Sequence, residues 1–113
     1  MMDRQPSPSE RITDTVLSWP GVTAGFGRHG EFAFRVGGRE IGHLHGDGAA
    51  HFVFDKALWV ELKATGRIEP HPIFPHRQGP AARRIGGQAD IDEVIALMRL
   101  NYEAATARLA RSA

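Results

Sequence analysis

Five of the six histidines, His43, His45, His51, His71 and His76, fall between positions 43 and 76 of a 113-residue chain. Imidazole takes up or releases a proton near neutral pH and is also a common neutral metal ligand, so this crowding admits acid–base or metal chemistry. His43 and His45 stand two residues apart. On an extended strand that spacing sends both rings to one face, roughly 6 to 7 Å apart, close enough to converge on one small cation. Asp47 follows at the same interval and suits the carboxylate that fixes the tautomer of a histidine base, which makes His43, His45 and Asp47 the candidate catalytic set. A metal needs a further ligand, from Asp47 or from the rim segment that carries His71 and His76. The set His43, His45 and His71 could then hold a divalent transition metal such as zinc, iron, copper or nickel. The plainer alternative is that His43 and His45 are partly buried, bond backbone carbonyls or Asp47, and pack on Phe32 and Phe34.

Several other chemistries are excluded by composition. Cysteine is absent, which removes disulfides, thiolate metal sites, Fe–S clusters and cysteine nucleophiles together. Gly46-Asp47-Gly48 has no following Lys-Ser/Thr, so a phosphate loop is rejected and no organic cofactor is expected. Ser7, Ser9, Ser18 and Ser112 all lie in helical or terminal segments, outside any nucleophile elbow. Arg83-Arg84 is the only adjacent basic pair in a chain of formal charge +1, so nucleic acid is not an expected partner. A small molecule is, with His71, His76, Phe32 and Phe34 as candidate ligand-binding residues. No apolar run reaches the roughly 20 residues of a membrane span, and Met1 to Pro6 lacks the apolar stretch of a secretion signal. The expectation is a soluble, cytoplasmic protein with no membrane partner.

The elements that must position the histidines can be read from periodicity. Ser7-Pro8-Ser9-Glu10 is a capping box with proline at the tolerated first helical position, and Ile12, Val16 and Trp19 follow on one helical face. From Glu31 the period changes to two, with Phe32, Phe34 and Val36 on one side of a strand. Gly37-Gly38 reads as a two-residue hairpin turn that pairs Val36 with Arg39. Counting outward sets Arg35 opposite Glu40, Phe34 opposite Ile41 and Phe32 opposite His43. In that register Ile41, His43 and His45 share the phenylalanine face, unless a bulge near Gly42 shifts the phase. Residues 50 to 54 predict a further strand, and Asp55 caps a helix through Leu58, Trp59 and Leu62 that stops at Gly66. The proline-rich stretch from Ile68 to His76 reads as an edge or rim segment, and a short extended piece around Arg83 to Ile85 follows. Asp90-Ile91-Asp92-Glu93 opens a last helix with its apolar stripe on Ile91, Val94, Ile95, Met98, Tyr102 and Ala105.

The order predicts an α+β fold: an antiparallel sheet of about four to five strands with an N-terminal, a middle and a long C-terminal helix. Residues 1 to 6 are expected to be a disordered lead-in, 7 to 108 one domain, and 109 to 113 a frayed tail.

Gly38-Arg39-Glu40-Ile41-Gly42-His43-Leu44-His45-Gly46-Asp47-Gly48 resembles the luciferase-domain family, also catalogued as DUF5519. Glu31-Phe32-Ala33-Phe34, Gly66-Arg67-Ile68-Glu69-Pro70-His71 and Leu100-Asn101-Tyr102-Glu103 fit the same pattern in order. The chain departs from it at Gln78-Gly79-Pro80-Ala81, where the family pattern leads one to expect a Gly-Trp pair. The resemblance implies site positions at His43, His45, Asp47 and His71. It also implies a small protein that binds or oxidises a planar or enolic molecule, since the fungal light-emitting enzymes of similar label oxidise an aromatic pyrone with molecular oxygen. Two other readings stand beside it, a non-catalytic binding or interaction module and a histidine-rich metal-dependent enzyme.

Overall fold

A computed structural model describes residues 5 to 112; Met1 to Arg4 of the expected lead-in and the final Ala113 lie outside the described residues. The fold is α+β, with three helices and one six-stranded antiparallel sheet. In chain order the elements are α1 (Pro8–Leu17), β1 (Val22–Phe26), β2 (Phe32–Val36), β3 (Arg39–His45), β4 (Ala49–Val53), α2 (Lys56–Ala64), β5 (Glu69–Pro70), β6 (Pro80–Arg84) and α3 (Gln88–Ser112). The sheet order is β1-β2-β3-β4-β6-β5. Local chemistry sets most of these boundaries. Ser7 and Glu10 form the expected reciprocal cap of α1, and Asp55 accepts the Leu58 N–H at 2.9 Å to start α2. Gly37 and Gly38 both take the positive φ that the β2–β3 turn demands.

Two elements differ from the sequence expectation. Residues 22 to 26, for which the periodicity predicts no strand, form the edge strand β1. Helix α3 begins at Gln88, ahead of Asp90. The Asp90 carboxylate instead sits in its first turn and accepts from the Gly86 N–H and the Arg83 guanidinium. Helical geometry continues to Ser112, through the segment expected to fray.

One face of the sheet carries the core. Phe34, Ile41, Leu44 and Phe52 meet Ile12 and Val16 of α1 and Val94, Leu97 and Met98 of α3, all essentially inaccessible to solvent. Each such side chain contributes about 1.5–3 kcal/mol through burial, which is what fixes the helices to this face. Trp59 and Leu62 of α2 join the same core, and the Trp59 indole N–H donates to the Pro80 carbonyl at 2.9 Å. No helix among the described residues is long and apolar enough to cross a membrane.

The β2–β3 hairpin contains the bulge on which the site depends. Val36 pairs with Arg39 and Arg35 with Glu40 as the turn requires, but Phe34 then pairs with Gly42, Ala33 with His43 and Phe32 with Leu44. Ile41 is the extra residue. A bulge of this kind advances the side-chain phase by one, so Leu44 rather than His43 joins the phenylalanine face. Its position follows from packing on the core side. A Cβ on Gly42 would lie 2.6 Å from Met98 Sδ and 3.0 Å from Phe52 Cδ1, at a φ of +157°, so only glycine lets α3 come this close to the strand.

Candidate functional site

The bulge turns His43 and His45 to the face of the sheet that the helices leave open. His51 comes to the same face from β4, where Ala50 and Phe52 point to the core and His51 pairs directly with His43. The three rings form a close triangle, with centroid separations of 4.9 Å for His43–His45, 5.3 Å for His43–His51 and 4.4 Å for His45–His51. One ligand nitrogen from each lies within 4.8 Å of the other two, so this group could hold a metal ion. His71 arrives just beyond β5, its ring 4.4 Å from that of His51.

Each imidazole has a distinct environment. His43 Nδ1 lies 2.8 Å from Glu40 Oε2, and Arg35 stands 3.9 Å from the other oxygen of the same carboxylate. His71 Nδ1 accepts the Ile73 backbone N–H at 3.1 Å, which places the proton of the neutral ring on Nε2. His51 Nδ1 is buried and, among the described residues, has no hydrogen-bond partner. Burial is the main reason that the His51 pKa falls to about 4, with its neighbours His45, His71 and His43 adding to the effect. Burial also lowers His45 and His71, and the adjacent histidines reinforce it. These three rings are therefore neutral at pH 7, the form that accepts a proton or binds a metal.

Beside the cluster lies a cavity of about 420 Å³, reached by His43, His51 and His71 and bounded by Phe74, Arg77 and Gln78. The His71 and Phe74 rings are 5.2 Å apart, and the Arg77 guanidinium carbon sits 5.3 Å from the centroid of Phe74. The result is a pocket with an aromatic wall, a cationic edge and neutral imidazoles. That combination suits a flat molecule that carries or can acquire negative charge.

The residues expected to act with the histidines are not all brought to them. Asp47 lies past the end of β3, where its carboxylate accepts the Ser9 backbone N–H at 2.9 Å. That bond is the first cause of its lowered pKa, and the carboxylate bonded to an imidazole is Glu40. Phe34 is wholly in the core and Phe32 packs against it, because the bulge leaves both on the helix side. Phe32 borders a separate, largely apolar cavity of about 360 Å³ under α1, away from the histidines. His76 is exposed on the rim, and among the described residues the ring contacts of the cluster do not include it. Conversely, the sequence places Glu40 only opposite Arg35 and His51 only among the crowded histidines. The signal for His51 was present in the alternation of residues 49 to 53. The signal for Glu40 was not, because its reach to His43 depends on the bulge.

A family model described as Luciferase domain matches residues 38–101, from the β2–β3 turn to the middle of α3 and more than half of the chain. No curated protein and no solved structure matches it.

Proposed function

This chain belongs to the luciferase-domain family, and on that premise we propose that it binds a small planar or enolic molecule in the cavity beside the histidine cluster and removes a proton from it. The observation that carries this reading is the meeting of neutral imidazoles with an aromatic wall and a cation in one pocket: His51 and His71, Phe74 and Arg77. In the metal-free site His43, its Nδ1 bonded to Glu40, takes the enolic proton on Nε2, His71 donates its Nε2–H, and the enolate then lies where the Arg77 charge offsets it. Phe74 supports the flat face of the molecule. The electron-rich enolate is the form open to reaction with molecular oxygen, the chemistry that the family resemblance suggests. Glu40 replaces Asp47 as the carboxylate that orients an imidazole, and Asp47 holds the start of α1 to the β3–β4 turn.

The probe is 4-hydroxy-6-methyl-2-pyrone, a simple flat enol, titrated by calorimetry with oxygen consumption followed in parallel. Binding is expected in the wild type, with affinity reduced about tenfold or more in Arg77→Ala and in Phe74→Ala. Binding without oxygen uptake would make the protein a binding module. Affinity unchanged in both variants would place any ligand elsewhere and refute the pocket assignment.

A further inference from the structure

We propose that His43, His45 and His51 form a three-histidine site for one first-row divalent cation of the zinc class, with Glu40 as the carboxylate behind His43. The assignment rests on four features of the open sheet face, and it goes beyond the organic ligand proposed above.

The first is distance. Three nitrogens no more than 4.8 Å apart have a common centre within about 2.8 Å of each, and Zn–N bonds of about 2.0–2.1 Å require them to draw in by less than about 1 Å. Small side-chain rotations supply that. Second, the rings come from two directly paired strands, His43 opposite His51, so the backbone that carries them is held by the sheet rather than by a loop. Third, the contact of His43 Nδ1 with Glu40 puts a proton on Nδ1 and leaves the Nε2 lone pair free, the carboxylate–histidine arrangement found behind metal-bound imidazoles. Fourth, His51 has a buried ring nitrogen with no partner among the described residues, an unmet demand that a protein site normally answers with a bound group.

The same reasoning excludes His71 from the ligand set. Its Nδ1 is engaged by the Ile73 N–H, so in the neutral ring Nε2 carries the proton and offers no lone pair. His71 stands beside the site as a hydrogen-bond donor. Three protein ligands leave a fourth position, and the cavity that His43 and His51 border has room for a water or an anionic oxygen there. With nitrogen donors only, the site favours zinc, copper, nickel or iron over magnesium or calcium.

The test uses tag-free full-length protein stripped with a chelator and holding no organic ligand, so that its outcome is independent of the pocket reading. Co²⁺ binding is followed by visible absorption and Zn²⁺ binding by calorimetry, with far-UV circular dichroism of every variant. One ion per chain is expected. Affinity should fall at least about 100-fold in His51→Ala and about 10- to 100-fold in Glu40→Gln, whereas His71→Ala should remain within about threefold of wild type. If His51→Ala fails to fold, His45→Ala serves in its place, since His45 is exposed and stands outside the buried core. Absence of saturable binding in the wild type overturns the site. So does binding that survives loss of a cluster histidine, or a loss in His71→Ala as large as that in His51→Ala.

Discussion

Asn101 of α3 is expected to control the sheet face on which the histidines stand, although it touches none of them. Its side-chain amide donates to the carbonyl of Ile41, the bulge residue, and to that of Val53 at the end of β4, both at 3.2 Å. Asn101→Ala removes both donors. The partly buried Ile41 bond leaves an acceptor that water reaches poorly, at about 1–2 kcal/mol, and the exposed Val53 bond adds about 0.5 kcal/mol, for a total of about 1.5–2.5 kcal/mol. Asn101→Asp is nearly the same size but sets a carboxylate against two carbonyl oxygens, so it should cost more than alanine. Urea unfolding followed by far-UV circular dichroism measures both, with an unchanged slope on denaturant showing that the two states are the same. In a domain of this length the alanine change corresponds to a fall in Tm of roughly 5–12 °C. The ring proton shifts of His43, followed by NMR in the folded variant, should move with the bulge. An alanine variant within 0.5 kcal/mol of wild type (about one quarter of the expected cost), or an aspartate variant no worse than alanine, would refute the role assigned to this side chain.

Three further outcomes follow from the packing and the charges. Gly42→Ala should destabilise by about 1–3 kcal/mol, because the added methyl meets Met98 and Phe52; in a double-mutant cycle with Met98→Ala the two costs should fall short of additive by about 1 kcal/mol. Tyr102→Phe removes the O–H that donates to the Pro20 carbonyl at 2.6 Å and should lower stability by about 0.5–1.5 kcal/mol in a thermal melt, with the ring still packed on Trp19. Chelator-treated protein should lose stability on mild acidification. His51 titrates near 4 when folded and near 6.5 when unfolded, so the unfolded chain binds more protons between those values; its contribution is complete above about pH 6.5 and lost as pH falls toward 4. Because the ring is partly exposed, screening by solvent reduces this to the order of 1–2 kcal/mol, and urea midpoints at pH 7.5 and 5 that agree would contradict it.

What was legible in the sequence was what local chemistry decides. The Ser7–Glu10 box, the Asp55 cap, the Gly37-Gly38 turn and the α3 stripe through Ile91, Val94, Met98, Tyr102 and Ala105 each depend on residues within one or two turns, and each has its counterpart in the structure. Strand β1 was obscured because Thr23 and Gly25 dilute the alternation, and its pairing partner lies across the loop in β2. Asp47 was drawn toward the histidines by even spacing, but spacing predicts a shared face only while the strand continues, and β3 ends at His45. The histidine face could not be read at all from the hairpin alone.

That face is decided from the other side of the sheet. The hairpin turn by itself would set Ile41, His43 and His45 beside the phenylalanines, and three residues of polar and apolar character would then compete for one core surface. Met98 packs where only a glycine can stand, Ile41 becomes the extra residue, and Asn101 takes up the carbonyl of that residue. The consequence is that Leu44 enters the core and Ile41 stays in it while His43 and His45 leave it. Burying a leucine in place of an imidazole is favoured by a few kcal/mol, so the bulge is stabilised by the same core contacts that it makes possible. The two segments that carry the family pattern most clearly, the one around His43 and the Leu100-Asn101-Tyr102-Glu103 run, are therefore coupled physically. The first supplies the side chains for chemistry, and the second, through Asn101 on the bulge and Tyr102 on Pro20, holds the sheet in the phase that exposes them.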